Sequence, residues 1–145
     1  MEFRFQPLLN LRKHRENNCQ TRLKEEQVKL MRADKELARW ERTTRRQEEI
    51  MKNLGVGRIE PTLLYCASNF LTFAREKKDE AYTRKVQQEK QVEKAREILI
   101  AARKETKTLE RLKERFHERE YRAGLYLEQK ILDEIGVNLF HRKEE

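Results

Sequence analysis

Residues 9–54 read LNLRKHRENNCQTRLKEEQVKLMRADKELARWERTTRRQEEIMKNL. Two rows run through this stretch at seven-residue intervals. One is Leu9, Glu16, Leu23, Leu30, Leu37, Thr44 and Met51; the other is Arg12, Cys19, Glu26, Ala33, Trp40, Gln47 and Leu54. Nine of these fourteen positions are apolar in a chain whose overall hydrophobic fraction is 37%. Alternating steps of three and four residues place both rows on one narrow stripe of a helix. A stripe that narrow is covered by a second helix.

Working toward the C-terminus, the next segment supplies that helix. Leu64, Leu71, Lys78, Lys85, Val92, Leu99, Thr106 and Lys113 form one heptad row, and Ala67, Ala74, Ala81, Gln88, Ala95, Ala102, Leu109 and Phe116 form its companion. Five alanines in the second row allow close approach of two helix backbones, with Leu23, Leu30 and Leu37 filling the space opposite. Lys78, Lys85 and Glu26 are poor seam residues and are expected to extend their charges into water.

Between the two patterns, Gly55-Val-Gly-Arg-Ile-Glu-Pro61 is the one credible turn. Pro7 and Pro61 suit first helical turns, where a missing N–H costs nothing. Gly55 is expected to take the left-handed conformation of a C-cap. The fold class is therefore all-α, a long antiparallel two-helix coiled-coil hairpin. Residues 1–145 form a single domain: a helix over about 7–54, a turn at 55–61, a helix over about 62–135 with Gly136 as its stop, and a frayed tail at 136–145. Gly124 marks a possible bend. Folding back at residue 58 pairs positions that sum to about 116, so residue 30 lies near residue 86. At 1.5 Å per residue the arms are about 70 and about 110 Å long. Residues 110–135 then project beyond their partner, carrying Leu112, Phe116, Tyr121, Leu125, Ile131 and other apolar side chains that call for a partner or for cover by Phe3, Phe5 and Leu8.

Composition agrees. Charged residues make up 41% of the chain, and there are only four glycines and two prolines. That is the signature of long helices rather than of a thick globular core. Disorder competes on composition, but a disordered segment has no reason to keep heptad phase. Net charge is +8, which favours acidic partners: nucleic acid, an anionic membrane surface or an acidic protein face. Acidic and basic residues are interleaved throughout, as on a solvated helical surface. In the second helix Glu110, Glu114 and Glu118 form one ladder and Arg111, Arg115 and Arg119 another.

Little here points to chemistry. Gly55-Val-Gly57 lacks the length and the lysine of a phosphate-binding loop. His14, His117 and His141 are dispersed, and Ser68, the only serine, has no glycine elbow. Cys19 and Cys66 have no zinc spacing and would lie far apart in the hairpin, as free thiols of a reducing compartment. The opening MEFRFQPLLNL is not a signal peptide, and the uncharged stretch 61–74 is too short to span a bilayer. No catalytic residue, cofactor or metal ligand is expected.

Two apolar clusters stand out: the terminal overhang, and Leu63, Leu64, Tyr65, Phe70, Leu71, Phe73 and Ala74 just after the turn. Tyr65, Phe70 and Phe73 lie off the heptad stripe. They either lock the hairpin tip or form a docking patch.

The opening Phe3-Arg-Phe-Gln-Pro-Leu-Leu-Asn-Leu-Arg12, the turn followed by Tyr65–Ala74, and the ending Glu128-Gln-Lys-Ile-Leu-Asp-Glu134 with Arg142 and Lys143 resemble the FliJ family of flagellar type III export stalk proteins. The resemblance implies a non-catalytic hairpin similar to the central stalk of rotary ATPases. Its terminal end would sit in the flagellar export ATPase ring. Its turn region would reach the cytoplasmic domain of the membrane export gate and help couple proton flow to export; some members also escort export chaperones. The implied location is cytoplasmic, peripheral at the inner membrane. Carried onto this chain, the gate-facing patch comprises Thr43, Arg46, Ile50, Phe70, Ala74 and Lys77, with Phe73 beside them. The ring-facing end uses Arg12, Arg15, Arg119 and Arg122. Trp40 lies a turn or two farther from the tip than the family's aromatic pattern. The alternatives are a basic coiled coil that binds nucleic acid and a structural coiled coil whose helices pair between chains.

Overall fold

The heptad rows become two helices, α1 over Gln6–Leu54 and α2 over Pro61–Glu144. The structure is a computed structural model that describes residues 1–144. The helices pack against each other as an antiparallel hairpin, and no position of the four heptad rows is exposed. Two compact units make up the chain, one of residues 1–16 with 101–145 and one of residues 17–100.

In the 17–100 unit the seam buries Leu37, Ala67, Leu71, Ala74, Ala81, Val92, Ala95 and Leu99. Ala74 and Ala81 are 0% and 1% exposed, which is what small residues do where two backbones close together. Polar seam residues are satisfied. The Thr44 hydroxyl donates to the Trp40 carbonyl at 2.8 Å, and the Gln47 amide reaches across to the Ala67 carbonyl at 3.2 Å. No buried side-chain nitrogen or oxygen among the described residues lacks a partner.

Glu26 and Lys85 do not simply extend into water. Gln88 Nε2 crosses the seam and donates to both the Glu26 carbonyl, at 3.0 Å, and its carboxylate, at 2.6 Å. The bond to the carboxylate, with another from Lys29 at 3.1 Å, holds the Glu26 carboxyl below its usual range. Lys85 reaches Asp34 of α1 at 3.3 Å, and that contact pushes its pKa up. Asp34 with Lys85, Glu36 with Arg84 and Glu48 with Arg75 form a series of cross-helix ion pairs.

In the other unit Phe3, Leu9, Ala102 and Thr106 are buried. The Phe3 ring packs on Phe116 at 5.7 Å and on Phe5 at 5.8 Å. The Phe3 carbonyl accepts from Gln6 N–H at the start of α1. Arg12 pairs with Glu105 and Glu16 with Arg103. Partner numbers sum to 117 and 119 here, and to 114 for Glu26 with Gln88, close to the expected 116.

Two glycine expectations differ from what is observed. Gly57, not Gly55, has the left-handed φ of 83°. Gly55 instead extends the α1 ladder, its N–H bonding to the Met51 carbonyl at 3.1 Å; the reversal comes two residues later. Gly136 does not end α2, which continues to Glu144; Glu145 lies outside the described residues. Gly136 keeps an ordinary negative φ. The residues after it hold the helix: Val137, Leu139 and Phe140 are compatible with it, and His141, Arg142 and Lys143 complement the negative end of the dipole.

Candidate functional site

Around the turn, within the 17–100 unit, aromatic side chains stand outside the seam. Phe70 and Phe73 are 44% and 45% exposed, with ring centroids 6.2 Å apart. Trp40 of α1 meets Phe73 edge-on at 6.0 Å. The indole therefore joins the cluster, a link that spacing along α1 alone did not reveal. Its signal was the pairing sum: 40 and 73 add to 113, within the scatter of the fold-back. The Lys77 ammonium lies 5.6 Å from the Phe73 ring centre and 3.3 Å from Glu80.

Of the other residues expected here, Ile50 is 41% exposed and Arg46 is exposed. Thr43 is half-buried, its hydroxyl bonded to the Arg39 carbonyl at 2.9 Å. Ala74 has no exposed surface; it lets α1 approach, and any contact with a partner comes from its neighbours. Val56, Ile59, Leu63 and Tyr65 add further exposed apolar surface at the turn. These side chains, two on the turn and two on α2, form apolar surface that the hairpin leaves exposed.

The second surface lies in the unit of residues 1–16 and 101–145. Phe3, Phe5, Leu112 and Phe116 floor a pocket of about 190 Å³, with Arg4, Arg115 and Arg119 around it. This pocket follows from the N-terminal residues folding back on α2. From Tyr121 onward every described residue of α2 is exposed. Tyr121, Leu125, Ile131, Leu132, Ile135 and Leu139 share one face of that helix and are 47–70% exposed.

The four arginines expected at this end divide into two kinds. Arg12 and Arg15 both face Glu105, so their charges are engaged within the hairpin. Arg119 lines the pocket, and the one ion pair of Arg122 among the described residues is with Glu118 of its own helix, at 3.9 Å. Among the described residues no group of three His, Cys, Asp or Glu gathers as a metal site, and Cys19 and Cys66 are free thiols. None of the described helices is long and apolar enough to cross a membrane.

Both surfaces are suited to binding other proteins: exposed aromatics and aliphatics bordered by cations, held on stiff helices. The chain matches the model of a family described as "Flagellar FliJ protein", over residues 1–145. No curated protein and no solved structure matches. The chain belongs to the flagellar FliJ family, and with it to the components of flagellar export.

Proposed function

We propose that the protein is a non-catalytic stalk of the flagellar type III export apparatus, a single-chain hairpin linking the export ATPase ring to the cytoplasmic domain of the export gate. Its location is then cytoplasmic, peripheral at the inner membrane through protein contacts, and it also escorts export chaperones. The observation that carries this reading is the uncovered apolar face of α2 from Tyr121 to Leu139. In water such a face is stable only when a partner covers it, and a ring lumen does so. Arg119 and Arg122 supply charge to the same contact. The exposed cluster of Phe70, Phe73 and Ile50, with Arg46 and Lys77, offers the gate a separate surface. The work is binding and positioning, with nucleotide hydrolysed by the ring.

Pull-down against the purified export ATPase and the cytoplasmic gate domain tests both halves. Truncation after Gly124 abolishes ATPase capture and leaves gate capture intact; Phe70→Glu with Phe73→Glu does the reverse. Undiminished ATPase binding by the truncated chain refutes the ring assignment, and undiminished gate binding by the double variant refutes the tip assignment.

A further inference from the structure

The outward face of α1 carries a row of cations of which only the last, Arg46, belongs to either surface. Arg32, Lys35, Arg39, Arg42 and Arg46 follow one another at steps of three and four residues. All five are exposed. Among the described residues none has a carboxylate within ion-pairing distance, although Arg42 Nε lies 3.4 Å from the Ala38 carbonyl of its own turn. The carboxylates in and just beyond this stretch lie toward the other helix: Asp34, Glu36 and Glu48 are each paired with a cation of α2, and Glu41, in no ion pair among the described residues, lies near Lys85 of α2. The helix thus spends its acids against its partner and stacks its cations outside. Like charges at these spacings repel along a helix, so folding alone does not favour the arrangement.

We propose that this row is a docking track for an acidic α-helix of another protein. Four features select that occupant. The steps average 3.5 residues, so the cations are about 5 Å apart over about 21 Å and stay in line with a helix lying alongside. A partner with Asp or Glu at the same three-four spacing meets each cation in turn. The one aromatic between Arg32 and Arg46, Trp40, sits on the seam side against Phe73 at 6.0 Å, so the row itself offers no ring on which bases could stack, as single-stranded nucleic acid sites do. It also has no flanking apolar face to insert into a bilayer. Guanidinium groups, four of the five, suit forked bonding to carboxylates. Arg46 is shared with the tip cluster; the other four extend away from it.

The experiment is fluorescence anisotropy on the full chain, with helical 21-residue peptides as probes. One carries glutamates at three-four spacing on a single face, and a second has the same composition scrambled. The in-phase peptide binds at least tenfold tighter than the scrambled one. Arg39→Glu with Arg42→Glu removes that preference, and a peptide with two central glutamates changed to lysine restores binding to the variant. Arg39→Gln with Arg42→Gln, which keeps helix propensity, weakens binding by an intermediate factor should the reversal variant unfold. Both substitutions leave Arg46 and the aromatic cluster intact, so gate and ATPase pull-downs stay unchanged. Equal affinity for both peptides overturns the proposal. So does tighter, arginine-dependent binding of a 20-nucleotide single strand or of phosphatidylserine vesicles, which reassigns the row to phosphate.

Discussion

Ala81 is the place where a coiled-coil rule and this hairpin make opposite predictions. Leucine at a heptad position ordinarily stabilises: three additional buried carbons are worth ~2 kcal/mol at about 0.8 kcal/mol per methylene. Here Ala81 is 1% exposed and Ala74, one heptad earlier, 0%; the seam is already closed on their methyl groups. A larger side chain has to push α1 away or leave its rotamer, at a cost of ~1–3 kcal/mol. Ala81→Leu is therefore expected to lower the melting temperature. At about 2–4 °C per kcal/mol for a chain near this size, the fall is roughly 2–12 °C. Ala38→Leu, at an exposed position of α1 in the same unit, is the control and stays within ~0.5 kcal/mol of the parent. Circular dichroism at 222 nm during thermal and urea melts reads both. An Ala81→Leu protein that melts higher than its parent refutes the close-packed alanine seam.

Four further outcomes follow from the same geometry. Leu9→Ala removes the largest fully buried side chain and destabilises by ~2–5 kcal/mol in urea titrations. Gly57→Ala costs ~1–2 kcal/mol through its positive φ alone, since a Cβ there meets nothing within 4 Å. Gly136→Ala, in open space within a continuous helix, raises helical content at 222 nm by favouring the last turns, worth about 1 kcal/mol of propensity. Because Gln88 and Lys29 hold the folded Glu26 carboxyl below 4.5, its contribution is complete above that pH and is lost as the pH falls through the folded value. Gln88→Leu thus makes the urea midpoint fall less between pH 6 and pH 3 than it does in the parent.

Much of the hairpin was legible because a heptad is a long-range signal. Rows from Leu9 to Leu54 and from Leu64 to Phe116 each repeat one constraint many times, and one turn separates them. The details that escaped depend on single residues or on the opposite strand of the seam. Gly55 and Gly57 are equally able to adopt positive φ, and which one does so is settled by how far the α1 ladder persists. Gly136 lies where a stop is plausible, yet nothing there terminates the backbone bonding. Glu26 looked like a misplaced charge because its partner, Gln88, is remote in sequence. The apolar overhang and Phe70 and Phe73 were readable as exposed apolar surface, since these residues fall off the seam register. That Arg12 and Arg15 are engaged by Glu105 while Arg119 is not follows from side-chain reach across the pair, which spacing along one helix does not encode.

The fold-back itself is tested most directly by pulsed electron spin resonance on spin labels at the exposed positions Met31 and Gln87. Neighbouring antiparallel helices, with axes about 8–10 Å apart, place the labels in a narrow distribution below ~25 Å. That distribution persists when labelled chain is diluted into a large excess of unlabelled chain. A separation near the ~84 Å of an unbroken helix over the same 56 residues, or a short distance that disappears on dilution, contradicts a hairpin formed within one molecule.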